Sequence, residues 1–430
     1  MRCEILEIEN FDSMIDSSEM KDDLLVKLNI PESFRAALAE AAARVKETAG
    51  PGALIRVVHH NDSDGITSGA ILTAAFTRAG YKVVTCSLEK PYPVLIPIIH
   101  EKQHDLVVYG DLGSAYIKDI SRATEQVSGI TVIVDHHLTG PSPSESVLNV
   151  NGELHGLSGS LDISGAATCF LLAVYLSAEN RDLVQLAVVG GFEIPGPLRG
   201  VNAVLYDLAH SWGLVQHVDR SAWRTGQVRL GNDWVALSKA FSDLETCGAV
   251  GYYLGGVEVA LALCRNGYTD EALTFLEKVN TKRRQAFHLL DEAVCGGRLV
   301  RTGNVQYLHA DFALLGLGAK VIGSYLSGLS RRDILAVDGE CYLLASVSLN
   351  PEVPGVGSLG TNQVKFSGRV APEKAESILS GEVPSLNDLF AGAGTRCGGY
   401  GDGHKVAASA VVPAGSRLRF VELVNELSGG

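Results

Sequence analysis

Residues 53–69 read ALIRVVHHNDSDGITSG. An apolar run broken only by Arg56 ends abruptly in His59, His60, Asn61, Asp62, Ser63, Asp64 and Gly65, and the chain resumes as ITSGAILTAAF with helical spacing. A strand that ends in polar side chains just before a helix puts them where open parallel sheets bind ligands. One Asp or Asn is enough to cap a helix. A loop offering two imidazoles and two carboxylates carries more than capping needs.

The surrounding chain repeats this alternation. ALIRVVH, YKVVTCSL, DLVVYG and TVIVD read as strands, and GITSGAILTAAFTRAG and AYIKDISRATEQV as the helices between them, which predicts a parallel sheet with crossover helices. Two more helices follow, GAATCFLLAVYLSAEN and RDLVQLAVVGG. Upstream, PESFRAALAEAAARVKET reads as a helix with Pro31 near its start. Residues 200–295 read mainly helical, with Gly296 and Gly297 closing the last helix. A second α/β pattern starts there. Its strands are VQYLHAD, DILAVDG, CYLLASVSL, QVKFSGRV and KVAASAVV, and its helices GLGAKVIGSYLSGL, APEKAESILS and SRLRFVELVNEL. The expected organisation is a helical extension over 1–50, a parallel-sheet α/β domain over 51–215, a helical connector over 216–295 and a smaller α/β domain over 296–430.

The 430 residues are 46% hydrophobic and 20% charged, the balance of a globular chain with ample core. Eight scattered cysteines form no CxxC pair, which argues against zinc ribbons and for reduced thiols in a cytoplasmic protein. No apolar run reaches the length of a membrane span, and the acidic N-terminus lacks a signal-peptide pattern. The net charge of −13 opposes nucleic-acid binding over the whole surface. Residues 1–295 hold 24 basic and 37 acidic residues, the whole deficit, and the remainder is balanced at 12 of each. A local basic groove in the C-terminal part is compatible with that distribution.

Three predicted strands end in ligand-type side chains: His60, Asp62 and Asp64 after the first, Asp111 after DLVVYG, and Asp135, His136 and His137 at the end of TVIVDHH. Any one cluster could be a turn or a cap. Three in succession point to one edge carrying a metal site. Mixed Asp and His without thiolate suits Mn²⁺, with Mg²⁺ a poorer match. Two such ions bridged by a carboxylate hold a phosphoryl oxygen and activate a water.

HNDSDGI, YGDLGS and VDHHLTG resemble the first three motifs of the DHH phosphoesterase superfamily, and HGLSGSLDISGAATCFLLA is similar to the helix entry of its archaeal RecJ-like branch. CGGYGDGHKVAASAVV resembles the glycine-histidine signature of the DHH-associated C-terminal domain, and VKFSGR its nucleic-acid-contacting strand. The resemblance implies that His60 and Asp62 bind one metal, that Asp64 and His136 bind the other, and that Asp111 bridges them. It implies that His137 contacts the scissile phosphate or orients a ligand, with Asp135 fixing an imidazole. His59 has no matching role and reads as a surface or strand-end histidine. Arg369, Gly401, Gly403 and His404 are the implied substrate contacts, with Arg396 and Lys405 as further phosphate contacts.

One departure concerns the fourth motif. LAVVGGFEIPGPLRG places Ile194 where the resemblance expects a metal-binding Asp, with Glu193 one position earlier. Glu193 is the candidate replacement, and a solvated loop residue is the equal alternative. Asp402 adds a negative charge inside the glycine-rich stretch, next to the expected phosphate.

The implied activity is a Mn²⁺-dependent phosphodiesterase of the exonuclease type acting on single-stranded DNA or RNA, with replication or repair proteins as possible partners and no membrane. Short oligonucleotides or a cyclic dinucleotide are the second reading, which the acidic surface favours. A catalytically weak replication or repair scaffold is the third, suggested by the altered fourth motif. A family II pyrophosphatase is disfavoured by the glycine-histidine ending.

Overall fold

The computed structural model describes residues 30–90, 92–101, 104–217, 219–332 and 336–430. The expected extension over 1–50 is described only from residue 30, where Pro31 precedes the helix Glu32–Thr48. That helix buries Phe34, Leu38, Ala41 and Val45 at the spacing of one helical face.

The chain divides into two compact units. The first comprises residues up to His60, Thr67–Thr85 and His100–Phe241, and the second Asn61–Ile66, Cys86–Ile99 and Ser242–Gly430.

The first sheet contains β1 (Leu54–His60), β2 (Lys82–Leu88), β3 (Leu106–Gly110), β4 (Thr131–Asp135) and β5 (Val147–Asn151) in the order β2-β1-β3-β4-β5. β1, β3, β4 and β5 run parallel. β3 and β4 are buried along their whole length, which is why both read as unbroken apolar runs. β5 does not show in the sequence because VLNVN interleaves asparagines with its apolar residues. The helix Gly165–Leu176 is buried throughout. A three-stranded sheet, β6 (Val215–Gln216), β7 (Gln227–Leu230) and β8 (Asp233–Ala236), lies inside the stretch expected to be helical. Its strands are two to four residues long, too short to set up a visible period.

In the second unit, residues 242–295 are mainly helical and end in the 26-residue helix Asp270–Cys295. A six-stranded mixed sheet follows. It is built from β9 (Val300–Thr302), β10 (Val305–His309), β11 (Tyr342–Ser348), β14 (Gln363–Val370), β15 (Tyr400–His404) and β16 (Ala407–Pro413), in the order β15-β16-β14-β11-β10-β9. Two short strands, β12 (Glu352–Val353) and β13 (Gly357–Ser358), pair separately. The expected strand DILAVDG is absent over 336–339, which form turn and coil, and its residues 333–335 lie outside the described ones.

Alternation along β14 sorts its residues onto two faces. Val364, Phe366 and Val370 enter a core with Phe390 and Phe420, in which the Phe366 and Phe420 ring centroids are 4.2 Å apart. Burying each such ring stabilises the unit by roughly 1.5–3 kcal/mol. Gly368 also faces this core, where a Cβ would lie 2.5 Å from the Phe390 ring. Lys365, Ser367 and Arg369 take the opposite face. The register places Ser409 beside Ser367, and Asp402 and His404 on the same face of β15.

Candidate metal centre

β1, β3 and β4 are neighbours, and their register aligns His59 with Gly110 and Gly110 with Val134. The next residues, His60, Asp111 and Asp135, therefore fall at one level on the carboxyl edge of the sheet. His136 and His137 continue from β4. Ligand-type atoms of Asp111, Asp135, His136 and His137 all lie within 4.8 Å of one another.

Asp111 sits at the centre. Its carboxylate is 2% exposed, with Oδ1 3.3 Å from His136 Nε2 and Oδ2 3.7 Å from His60 Nδ1. Oδ1 is buried and makes no hydrogen bond. His136 Nδ1 is 2.7 Å from the carbonyl oxygen of Gly159. A carbonyl only accepts, so Nδ1 carries a proton, and Nε2 is the ring atom turned toward Asp111. A carboxylate oxygen and a ring nitrogen placed this way can share a cation. Hard oxygens mixed with imidazole nitrogens fit a divalent ion such as Mn²⁺.

The backbone supports this pose at a cost. Asp111 has φ of 60°, in the left-handed region that few non-glycine residues adopt. Its N–H donates to the Val134 carbonyl at 2.9 Å. The helix Gly165–Leu176 begins against its carboxylate, since a Cβ on Gly165 would lie 2.2 Å from Asp111 Oδ1. Gly159 is equally constrained, because a Cβ there would meet the His136 carbonyl oxygen at 1.7 Å.

Asp135 is buried and accepts from Ser114 N at 3.0 Å, His136 N at 2.8 Å and His137 Nδ1 at 2.7 Å. Burial would raise its pKa, but His137, His136 and the Ser114 N–H together hold it well below the carboxylate range. Burial likewise opposes charge on His137, yet the Asp135 carboxylate prevails and raises its pKa. His137 is half exposed, and its Nδ1–H is committed to Asp135, so its Nε2 is the edge left for a ligand.

Asp62 follows His60 by two residues along the chain and is described with the second unit. Its Oδ1 accepts from Gly65 N at 3.0 Å, and its Oδ2 pairs with Lys320 Nζ. Asp64 is fully buried in the first turn of the helix Ser63–Arg78. Glu193 is exposed in the turn that closes the helix Val184–Gly191 and belongs to none of the ligand clusters among the described residues, whereas Ile194 is buried. His59 stands at a strand end, as one reading expected, but is fully buried rather than on the surface. Its ring packs where a Cβ on Gly69 would lie 2.6 Å away.

Of the expected substrate residues, Arg369 of β14 and His404 of β15 are both in register with Ala407 of β16, and Gly401 and Gly403 share β15 with His404. Arg369 Nε donates to Ser327 Oγ at 2.8 Å and Nη1 to the Gly368 carbonyl at 2.7 Å, and burial lowers its pKa. His404, Lys405 and Arg396 are exposed. The glycine-rich stretch forms the edge strand β15. A Cβ on Gly401 would lie 2.3 Å from the Phe390 carbonyl oxygen and one on Gly403 2.6 Å from that of Ala407. Close backbone packing thus accounts for both glycines.

Several residues of the site escaped the sequence reading. Ser114, Gly159, Gly165 and Asn151 act through backbone proximity or second contacts. Asn151, for example, donates to Ser114 Oγ and to the His137 carbonyl, both at 2.9 Å. Ser114, Gly159 and Gly165 lie inside the motifs YGDLGS and HGLSGSLDISGAATCFLLA without their individual roles showing there, and Ser164, the N-cap before Gly165, accepts from Ala167 N at 3.1 Å.

Residues 54–190 match the DHH family, N-terminal domain. A protein of Methanocaldococcus jannaschii is 23% identical over 415 residues, covering 87% of this chain and 93% of that one. The single-stranded-DNA-specific exonuclease RecJ of Thermus thermophilus is 28% identical over 268 residues, which are 58% of this chain and 36% of that one. The crystal structure of exonuclease RecJ bound to manganese superposes with a TM-score of 0.57 at 20% identity, covering 91% of this chain and 94% of that one. Residues 54–190 thus form a domain of the DHH family, and the chain shares the fold of exonuclease RecJ.

Proposed function

We propose that this protein is a phosphodiesterase of the exonuclease type that trims single-stranded DNA or RNA with the help of divalent cations. The arrangement of Asp111 carries the proposal: a buried carboxylate whose two oxygens each face an imidazole, one of them across a gap lacking a hydrogen bond. His60, Asp111 and His136 are the residues assigned to hold the cations, Asp62 and Asp64 being assigned from the sequence motif alone, and Mn²⁺ is the preferred ion. When bound, such ions polarise a phosphoryl oxygen and lower the pKa of water. Asp135 fixes His137 so that Nε2 can donate to a phosphoryl oxygen of the substrate. The polar face of β14, β15 and β16 is assigned to the strand, and a cytoplasmic location is assumed for the reduced thiols.

The test is hydrolysis of 5′- and 3′-labelled single strands in Mn²⁺ by the wild type and by Asp111→Asn. Release of terminal nucleotides by the wild type, with a loss of about 10² or more in the variant, is the expected result. A variant as active and as metal-rich as the wild type would overturn the assignment. Short oligonucleotides are the second reading, favoured by the net charge of −13, which leaves little room for a long basic track. A series of substrates of graded length separates the two.

A further inference from the structure

On the polar face of the second unit's sheet, Lys90 Nζ donates to both carboxylate oxygens of Asp402, at 2.8 and 3.0 Å, and to Ser409 Oγ at 3.0 Å. Ser409 Oγ in turn donates to Asp402 Oδ1 at 3.1 Å. This is the pattern of contacts a phosphate receives, with a carboxylate from the chain in its place. Lys365 shares the face. It is 8% exposed, and its ammonium makes no hydrogen bond or ion pair with the described residues. Burying an unpaired ammonium is costly. Burial, with Lys90 and Lys320 adding to it and Glu89 and Asp402 opposing it, pushes its pKa down to about 7.

The other cations of this face are committed. Lys320 pairs with Asp62, and Arg369 is held by Ser327 and its own backbone. Asp402, by contrast, is 57% exposed on the edge strand β15. It stands between Gly401 and Gly403, the latter with φ of +143°. The carboxylate is thus the most displaceable member of the cluster.

We propose that Lys90, Ser409 and Lys365 form a phosphate-binding site and that the Asp402 carboxylate occupies it as a built-in competitor which a ligand phosphate displaces. The choice of phosphate as ligand rests on the phosphodiesterase reading. The geometry of the site does not. A ligand phosphate gains two ammonium groups and a hydroxyl, and it offers Lys365 a directly paired anion in addition to the more distant Glu89 and Asp402 carboxylates. A weakly held anion is turned away by Asp402, so the site discriminates in favour of multiply charged phosphate groups.

The experiment titrates inorganic phosphate into the full chain in metal-free buffer with chelator, by calorimetry. Asp402→Asn keeps the shape and removes the competing charge, and it should bind phosphate at least about tenfold tighter than the wild type. Adding Lys90→Met or Lys365→Met to that variant should reverse most of the gain. Asp402→Ser serves the same purpose if the Asn variant fails to fold, as judged by circular dichroism. Phosphate affinity unchanged within about twofold in the folded Asp402 variants, or unaffected by Lys90→Met, would overturn the proposal. Asp111→Asn should bind phosphate like the wild type. Absent hydrolysis with phosphate binding intact would therefore count against the phosphodiesterase reading alone, and normal hydrolysis with no effect of Asp402 against this site alone.

Discussion

Asp111 and Gly165 are matched by shape: the carboxylate of one fills the volume that a side chain on the other would need, with Oδ1 2.2 Å from the position of a Gly165 Cβ. The left-handed backbone of Asp111 delivers its side chain to that spot.

Gly165→Ala should therefore disturb the metal centre although residue 165 has no ligand atom. The methyl must push Asp111 away from His60 and His136 or shift the helix, at a cost of about 1–3 kcal/mol for overpacking. The expected outcome is reduced Mn²⁺ content by elemental analysis, together with a lower unfolding midpoint. Unchanged metal content would mean that the carboxylate has slack.

Glu193→Gln should leave metal content and activity near wild type. Its side chain is exposed and outside the ligand clusters of the described residues, and exposed substitutions commonly change stability by less than ~0.5 kcal/mol. A drop in bound Mn²⁺ on the scale of a lost ligand would restore Glu193 as the replacement for the expected fourth-motif Asp.

Arg369→Ala should destabilise the second unit by about 1–3 kcal/mol, because it removes a charged partner from Ser327 Oγ and from the Gly368 carbonyl. Denaturant unfolding measures this. Arg369→Lys should recover only part of the loss, since an ammonium lacks the planar fork. If both variants unfold like the wild type while losing strand binding, Arg369 is a substrate contact and not a structural one.

Lys365 makes stability depend on pH. Its folded pKa of about 7 lies below the ordinary 10.5, so between those values the unfolded chain binds a proton that the folded chain does not. The penalty is full below about pH 7 and fades as pH rises toward 10.5. Wild-type stability should then climb relative to Lys365→Met by up to ~1.4 kcal/mol per pH unit over that window. Urea midpoints at pH 7 and pH 9, in phosphate-free buffer, measure it. A difference between the two proteins that does not change with pH would show that Lys365 stays charged.

Two buried strands announced themselves by composition. LVVYG and TVIVD are apolar throughout because both of their faces are covered, and a strand of this kind needs no partner to be recognised. The polar residues that follow them, Asp111 and the Asp135-His136-His137 run, stood out against that background. Parallel pairing then required their ends to meet. The altered fourth motif was visible too, but not its consequence, since exposure of Glu193 depends on how the chain turns after the helix Val184–Gly191.

The sequence by itself determined the parallel sheet, the edge that carries the candidate ligands and the second α/β unit, because apolar period and strand-end chemistry are local properties of the chain. The tertiary structure alone decided which charges are paired. Lys90 meets Asp402 across 312 residues and Lys320 meets Asp62 across 258, and neither pairing leaves a periodic trace. It also turned a glycine-rich stretch into an edge strand, placed Gly165 against Asp111 and buried Lys365 without a hydrogen bond or ion pair to the described residues. Contacts of this kind depend on where packed elements bring side chains in space, and hydrophobic period does not encode that placement.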